Sequence, residues 1–254
     1  MEIAGIFVDP VLLAALFAGC LLGGLAKGIS GSGLPQIAVP LIALMTDAPT
    51  AIAVVQIPTM SINLVQARPR GYPMSAVLPH WPVVVVLFLS TIIGVGLLTV
   101  TPPSVLFVLM AGLTSAAAIM LILKPAFVLP ARLRLPVGIP IAGVAGITAG
   151  MSSLGGPFLI PYLLSLGLPK NLFVAVISLC YLSIILPTIT FFLWWEIVPA
   201  ELFLYSCVAI LPALLGMWAG NHLRDRIDEA GFRKVVLAVL VVSAIGLIVK
   251  AVQS

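Results

Sequence analysis

The chain has 254 residues, of which 62% are hydrophobic and only 8% are charged. A soluble domain normally carries about 25% charged residues, so this chain has too few polar side chains to cover a water-facing surface. Its net charge of +4 does not indicate nucleic-acid binding, because the basic residues lie at the ends of apolar stretches, where membrane topology places them. The composition predicts a single membrane domain, residues 1–254, without a soluble appendage.

Reactive side chains are sparse. Cys20, Cys180 and Cys207 lie in apolar stretches with no CxxC or Cys/His pairing, which argues against a disulfide framework or a zinc site. No HExxH, GxSxG or GxxxxGKS/T motif occurs, and no Asp or Glu lies in the middle of an apolar segment. We therefore predict no enzyme, cofactor or metal. Glu2 and Asp9 precede the first segment without any Lys or Arg, unlike a signal peptide, so we expect that segment to be retained.

Apolar runs between Gly, Pro and charged residues predict ten helical segments. A spanning helix needs about 20 apolar residues, and several runs are that long. Two short runs follow Gly/Ser-rich breaks. In chain order the segments are Val11–Ala26, Pro35–Met45, Pro49–Ala67, Ser75–Val100, Pro103–Leu123, Leu135–Gly150, Pro157–Leu166, Asn171–Trp194, Pro199–Gly220 and Gly231–Val252.

The two broken pieces of the chain resemble each other at an offset of 122 residues. Each half contains one broken segment followed by three long apolar segments, which indicates a duplication with repeats at residues 11–124 and 135–253. Interrupted helices at matched positions are the best sequence pointer to a transporter site. The matching residues are Gly24, Gly28, Ser30, Gly33 and Pro35 in the first repeat and Gly146, Gly150, Ser152, Gly155 and Pro157 in the second.

The positions of Lys and Arg predict the topology. If each broken segment crosses the membrane once, the basic residues other than Lys27 and Lys250 divide equally between the two sides. If each enters and returns as a hairpin, all of them fall on one side, which the positive-inside rule favours. The acidic residues Glu2, Asp9, Asp47, Glu196 and Glu201 then lie opposite, with both termini outside. The residues on the basic side are Arg68, Arg70, Lys124, Arg132, Arg134, Lys170, Arg224, Arg226, Arg233 and Lys234.

This topology gives three further crossings per half, and an odd number inverts one half relative to the other. We therefore predict an all-α polytopic membrane protein built from two inverted repeats, each a broken helical hairpin plus three transmembrane helices. Re-entrant hairpins and pairs of thin crossings both fit the charges. Inverted repeats are typical of alternating-access carriers, and we expect one half to move against the other.

The first break has the features of an anion cradle. Its glycines allow close backbone approach, and the free N–H groups at the start of the next helix attract an anion. Two such helix starts, meeting from opposite sides, would form one pocket near the membrane midplane. The alternative is that the glycines only let helices approach closely. The candidate ligands are Ser30, Gly31, Ser32, Gly33 and Gln36 in the first break and Ser152, Ser153, Gly155 and Gly156 in the second.

Lys27 is the only charged residue between Asp9 and Asp47, and its counterpart in the second repeat is Ala149. An ionisable residue inside a membrane is a functional hypothesis by default. Lys27 would then supply the charge that a bound anion needs. The alternative is that it lies near the cytoplasmic boundary and extends its amine to the surface.

Polar side chains on the spans after the breaks extend the candidate site. Gln56 and Ser178 are added to the candidate ligands. Ser61, Asn63, Tyr181 and Ser183 could complete a polar lining. The alternative for this whole set is hydrogen bonding between helices.

The two Gly/Ser/Pro breaks, each followed by an apolar run with Pro40 or Pro161, resemble the sulfite exporter TauE/SafE family of permeases. The segment from Leu215 to Arg224, followed by Phe232-Arg233-Lys234 and an apolar last span, is similar to the C-terminal end of that family. The resemblance implies transport of sulfur-containing anions such as sulfite, sulfonates and sulfoacetate in bacterial inner membranes.

The sequence as a whole predicts a secondary transporter that moves a small sulfur-containing anion, of the sulfite, sulfonate or thiosulfate class. The first break departs from the more glycine-rich form of the family at Ser30, Ser32 and Pro35-Gln36, which leaves the substrate open. An anion channel with the same pocket is one alternative, and a membrane enzyme or its assembly partner is another. The expected partners are the anionic substrate and the lipid bilayer; oligomeric state, direction and coupling ion stay open.

Overall fold

A computed structural model describes residues 10–123, 128–223 and 229–253 of the chain. These residues form helices and no strand, which confirms the predicted all-α membrane fold. Eight helical stretches in this part of the chain are long and apolar enough to cross a membrane, and two apolar helices are shorter. Five residues of the predicted charge pattern lie outside the described residues: Glu2, Asp9, Lys124, Arg224 and Arg226.

Each helix lies within a few residues of a predicted segment. Pro35 and Pro157 occupy the first turns of the two short helices, where a missing N–H costs nothing. The helices are α1 (Pro10–Ser30), α2 (Leu34–Ala43), α3 (Ala48–Gln66), α4 (Trp81–Val100, after a 3-10 turn at Met74–His80), α5 (Pro103–Leu123), α6 (Arg134–Ser152, after a 3-10 turn at Ala131–Leu133), α7 (Gly156–Ser165), α8 (Lys170–Trp194), α9 (Glu201–Ser206), α10 (Ile210–Leu223, after a 3-10 turn at Cys207–Ala209) and α11 (Glu229–Gln253).

The first break is shorter than the sequence predicted. The residues after Ala26 continue α1 for one more turn, and only residues 31–33 are non-helical. Gly28 lies so close to Gly220 of α10 that no Cβ would fit, so this glycine serves helix approach rather than chain reversal. The reversal uses Gly31 and Gly33, whose φ angles of +85° and +130° are rarely adopted by other residues.

Small residues four apart join α1 to α10 and α4 to α6. At each of these glycines an added Cβ would collide with the backbone of the opposing helix or, at Gly146, with a side chain as well. Close helix approach, the alternative that the sequence left open, therefore explains four of the glycines that match between the repeats. The contact residues are Gly24, Gly28, Gly216 and Gly220 for the first pair of helices and Ser90, Gly94, Gly146 and Gly150 for the second.

The short helix α2 begins near the middle of the bundle. Its first residue, Leu34, lies against Gly23 of α1. The adjacent Gly24 lies against Ala213, which is close to the centre of the apolar stretch Glu201–Leu223. The 21 residues of α1 are long enough to cross a membrane, whereas the 10 residues of α2 extend only about 15 Å. The first hairpin therefore has one full-length arm and one half-length arm.

The second hairpin has the same construction. Gly155, which precedes α7, lies against Ala145 of α6. The adjacent Gly146 lies against Leu87, at the centre of the apolar stretch Met74–Val100. The 10-residue helix α7 therefore also begins near mid-depth and covers about half of a membrane.

Most helices belong to one of two groups. The first group contains α1, α2 and α3 together with α9 and α10, and the second contains α4, α6, α7 and α8. The groups meet where α3 contacts α8, while α5 and α11 pair along one side, α5 touching α7 and α11 touching α2. Each group combines helices from both halves of the sequence. The two packed groups of helices therefore do not coincide with the two predicted repeats.

Candidate functional site

The starts of both short helices meet at the boundary between the two groups. Gln36, in the first turn of α2, donates a hydrogen bond from Nε2 to the hydroxyl of Tyr181 on α8 at 2.6 Å. Gly156, the first residue of α7, lies directly against the same amide, and a Cβ there would overlap it. Gln36 and Tyr181 are both buried. One polar cluster thus joins α2, α7 and α8.

Lys27 is completely buried, with 0% of its surface exposed. Its Nζ donates to the carbonyl oxygen of Gly31 at 3.1 Å and lies 5.0 Å from the centroid of the Tyr181 ring, within range of a cation–π interaction. Among the described residues it forms no ion pair with a carboxylate. The side chain therefore points into the cluster and does not extend to the surface.

A buried ammonium without a carboxylate partner carries a desolvation penalty of several kcal/mol. One carbonyl oxygen and one aromatic face offset only part of it, because neither carries a full negative charge. An anion bound next to Nζ would supply the missing charge. The surroundings of Lys27 therefore suit the binding of an anion rather than a cation.

A side chain of the first repeat forms a hydrogen bond to the second break. Gln56 on α3 donates from Nε2 to Ser153 Oγ at 3.3 Å, and both side chains are buried. Ser153 follows α6 in a left-handed conformation with φ of +62°. This bond crosses the boundary between the two helix groups, as the bond from Gln36 to Tyr181 does.

Three buried polar atoms of the candidate ligands have no hydrogen-bond partner within the described residues. They are Gln36 Oε1, Gln56 Oε1 and Ser178 Oγ. An unpaired buried polar group costs about 1–3 kcal/mol, so such atoms call for a ligand or a water. A glutamine amide carries both a donor and an acceptor, so a half-turn of either side chain presents the N–H group instead. These three side chains can therefore donate to an anion, the glutamines through Nε2 and the serine through its hydroxyl.

Ser178 lies on the face of α8 that meets the first break. Val174 on that face touches Gly31, and Tyr181 reaches Gln36. Residues four and three apart lie on one side of a helix, so Ser178 stands between those two contacts.

The repeat offset of 122 residues gives the same position for Ser178. It relates Gln56 to Ser178 and Gly31 to Ser153. The contact of Gln56 with Ser153 at the second break therefore has an equivalent at the first break, where Ser178 faces Gly31. The two breaks are thus approached by equivalent residues of α3 and α8.

Two of the predicted ligands close helix ends instead. Ser30 donates to the carbonyl four residues earlier at 2.8 Å and accepts from the amide two residues later at 3.4 Å. Ser152 repeats both bonds at 2.6 Å and 3.2 Å. This shared role explains why serine matches between the repeats at these positions. The structure therefore places Ser30 and Ser152 in the ends of α1 and α6.

The remaining residues of the breaks shape the backbone. Gly33 lies against Ala26, and Gly155 lies against Ala149, so each glycine lets the returning chain run close to the helix before it. Ser32 is buried between the two positive-φ glycines of the first break.

Three of the lining candidates bond within their own helices. Ser61 donates to the carbonyl of Ile57 at 2.9 Å, Asn63 donates to Thr59 at 2.7 Å, and Ser183 donates to Cys180 at 2.8 Å. Tyr181, by contrast, contacts both Gln36 and Lys27 and belongs at the centre of the candidate site. From the sequence, Tyr181 was predicted only as part of the polar lining and not as a ligand. Its spacing of three residues from Ser178 was the signal that could have included it.

A sequence model of the family described as Sulfite exporter TauE/SafE matches residues 15–247 of this chain. No curated protein and no solved structure matches it. The matched range includes the first hairpin from residue 15 onward, the whole second hairpin and all the residues of the candidate site. The members of the family are membrane transporters and not enzymes. This chain therefore belongs to the sulfite exporter TauE/SafE family of membrane transporters.

Proposed function

We propose that this protein is a secondary carrier that moves a small sulfur-containing oxyanion, of the sulfite, sulfonate or thiosulfate class, across the bacterial inner membrane by alternating access. The observation that carries this proposal is the position of Lys27. Its buried amine lies beside Tyr181, next to the mid-depth starts of α2 and α7, and has no carboxylate partner among the described residues.

The candidate site offers such an anion both a positive charge and several hydrogen-bond donors. Lys27 supplies the positive charge. The starts of α2 and α7 add the backbone N–H groups of Leu34, Gln36 and Gly156, for which no backbone acceptor is found among the described residues. The amide of Gln36 and the hydroxyls of Tyr181 and Ser178 supply neutral hydrogen bonds. Several donors converging from different elements suit a compact oxyanion with three or four oxygen atoms.

The helix groups suggest how access alternates. Gln36 to Tyr181, Lys27 to Tyr181, and Gln56 to Ser153 are all contacts between the first group and the second. Movement of one group against the other would open this boundary toward one side of the membrane at a time. The moving units are then the two packed groups, each with helices from both repeats, rather than the two halves of the sequence.

We also propose that the repeats at 11–124 and 135–253 are inverted in the membrane. In support, exchanging α1 with α6, α2 with α7, α3 with α8, α9–α10 with α4, and α11 with α5 maps the main helix contacts onto one another. The charge pattern then puts both termini outside the cell. Lys250, near the end of α11, donates to the carbonyls of Ala43 and Thr46 at 2.8 and 2.6 Å, so this end of α11 lies on the same side as the end of α2.

Cysteine labelling tests the orientation. Met45 is exposed at the end of α2 and, unlike Asp47, does not cap α3. In a Cys207→Ser background, which removes the exposed native cysteine, Met45→Cys is expected to react with an impermeant thiol reagent in intact cells. Arg68→Cys is the matched control and is expected to react only after lysis. The reverse pattern would contradict the proposed orientation.

Flux into proteoliposomes tests the proposed function. The purified protein is expected to take up labelled sulfite, thiosulfate or a simple sulfonate in a saturable way. Unlabelled substrate trapped inside is expected to accelerate entry of the label, because a carrier exchanges its ligand across the membrane. Flux without such counterflow would indicate a channel. No flux of any of these anions would contradict the proposed substrate class.

A further inference from the structure

We infer that the species this protein carries bears a single negative charge and that Lys27 sets this limit. The inference rests on the proposed function and adds the charge of the substrate to it. It follows from three observations: the site holds one formal charge among the described residues, the second repeat has no counterpart of Lys27, and the partial charges at the helix ends offset each other.

Lys27 is the only formally charged side chain that is buried among the residues whose burial the structure describes. Asp47 caps α3 outside the site, where it accepts from the amide of Thr50 at 2.8 Å. Lys250 is occupied by carbonyls at the end of α2, about one helix length from the start of that helix. Among the described residues, the site therefore offers one positive charge.

The second repeat adds no matching cation. At the offset of 122 residues the counterpart of Lys27 is Ala149, which is buried, and the counterpart of Gln36 is Phe158. The polar groups from the second repeat, Tyr181, Ser178 and Ser153, are neutral hydroxyls. Duplication has thus produced two helix starts but only one charge.

The helix ends do not supply a second charge. A helix start carries the equivalent of roughly half a positive charge and a helix end roughly half a negative one. Each break brings the end of a full-length helix close to the start of a short one, α1 to α2 and α6 to α7. These opposite partial charges largely offset each other across the site. The net charge that faces a ligand is therefore that of Lys27.

A monoanion bound at Lys27 makes the loaded site neutral. A dianion of the same shape would leave one negative charge unpaired in a buried setting, where desolvation is costly. Neutral donors stabilise either ligand, but only the monoanion is fully balanced. Hydrogensulfite and simple sulfonates meet this condition, whereas sulfate and thiosulfate do not.

Methanesulfonate and sulfate provide a matched pair for the test, because both are compact and tetrahedral and they differ by one charge. Each is added as a competitor of labelled sulfite uptake into proteoliposomes that contain the intact protein. Methanesulfonate is expected to inhibit at a concentration on the order of a hundredfold lower than sulfate, a difference of about 3 kcal/mol. Inhibition by sulfate that equals or exceeds that by methanesulfonate would overturn the inference.

A variant with an added positive charge provides a second test of the same inference. Gln56→Lys places an amine near Ser153, at the second break. Its inhibition by sulfate is expected to rise by about tenfold or more relative to that by methanesulfonate. An unchanged ratio in an active Gln56→Lys protein would count against charge as the basis of selection. Sulfite flux without charge discrimination leaves the proposed function intact, whereas absence of flux of sulfite, thiosulfate and sulfonates alike refutes the proposed function itself.

Discussion

Replacement of Lys27 by glutamine is expected to weaken binding of the transported anion by about a hundredfold. Removing one member of a buried charge pair typically costs about 2–5 kcal/mol, and tenfold in affinity corresponds to about 1.4 kcal/mol. The loss should appear in the half-saturating concentration for sulfite uptake and in a binding titration of the purified protein. Glutamine retains hydrogen-bonding capacity and most of the length of the lysine side chain, so the change isolates the charge.

Stability separates this role from a structural one. A buried amine without a carboxylate partner costs free energy in the empty protein, so Lys27→Gln is not expected to lower its melting temperature. Lys170→Gln, an exposed lysine at the start of α8, is the matched control and should transport as the unaltered protein does. Normal sulfite affinity in Lys27→Gln would show that the lysine serves only the end of α1, through its bond to Gly31.

Gly156→Ala is expected to raise the half-saturating concentration by about tenfold or more, with little loss of stability. The new Cβ would overlap the amide of Gln36 and come within 3.0 Å of the hydroxyl of Tyr181. Both are the far ends of side chains, so the protein can accommodate the methyl group by moving them. That movement separates the two groups and costs at least one hydrogen bond to the ligand, about 1 kcal/mol or more.

Gly143→Ala provides the control for this change. It makes the same substitution within α6, where no described atom outside the adjacent backbone of that helix and the two chain neighbours lies within 4 Å of the added Cβ. Wild-type uptake is expected, with stability unchanged or slightly raised by the better helix former. If Gly156→Ala also leaves sulfite uptake unaltered, the contact between α7 and Gln36 has no part in binding.

Helix positions were predictable because they depend on local signals. Long runs without charge fix the spans, and Pro35 and Pro157 mark the starts of the short helices. The length of the first break was not predictable in the same way. Gly28 favours a break in a sequence, but here its missing side chain admits α10, a helix nearly 200 residues later in the chain. A single sequence does not show which distant backbone a glycine will face.

The candidate site was predicted in part for a similar reason. The matched breaks pointed to Lys27, Gln36 and Ser153, because polar and charged residues stand out in an apolar chain. Ser30 and Ser152 stood out equally, yet their hydroxyls bond to their own helix ends. Bonds to a neighbouring backbone carbonyl are common for serine, and the sequence does not distinguish them from bonds to a ligand. Tyr181 required knowledge of which helix faces the first break.

Which helices pack together in the two groups could not be predicted from the sequence either. The duplication is visible as a repeat, and a repeat suggests two bodies that follow the chain. The structure differs because glycines let α1 approach α10 and α4 approach α6 closely. Both helix pairs join the first half of the sequence to the second.

Locating the bound anion in a crystal structure is the decisive test of the proposed site. Selenite is a heavier analogue of sulfite whose selenium can be located by anomalous scattering in crystals of the protein. We expect one selenium site at mid-depth, between the first turns of α2 and α7, with an oxygen atom within hydrogen-bond distance of Lys27 Nζ. Selenium bound elsewhere, with Lys27 still bonded only to Gly31 and Tyr181, would contradict the proposed site.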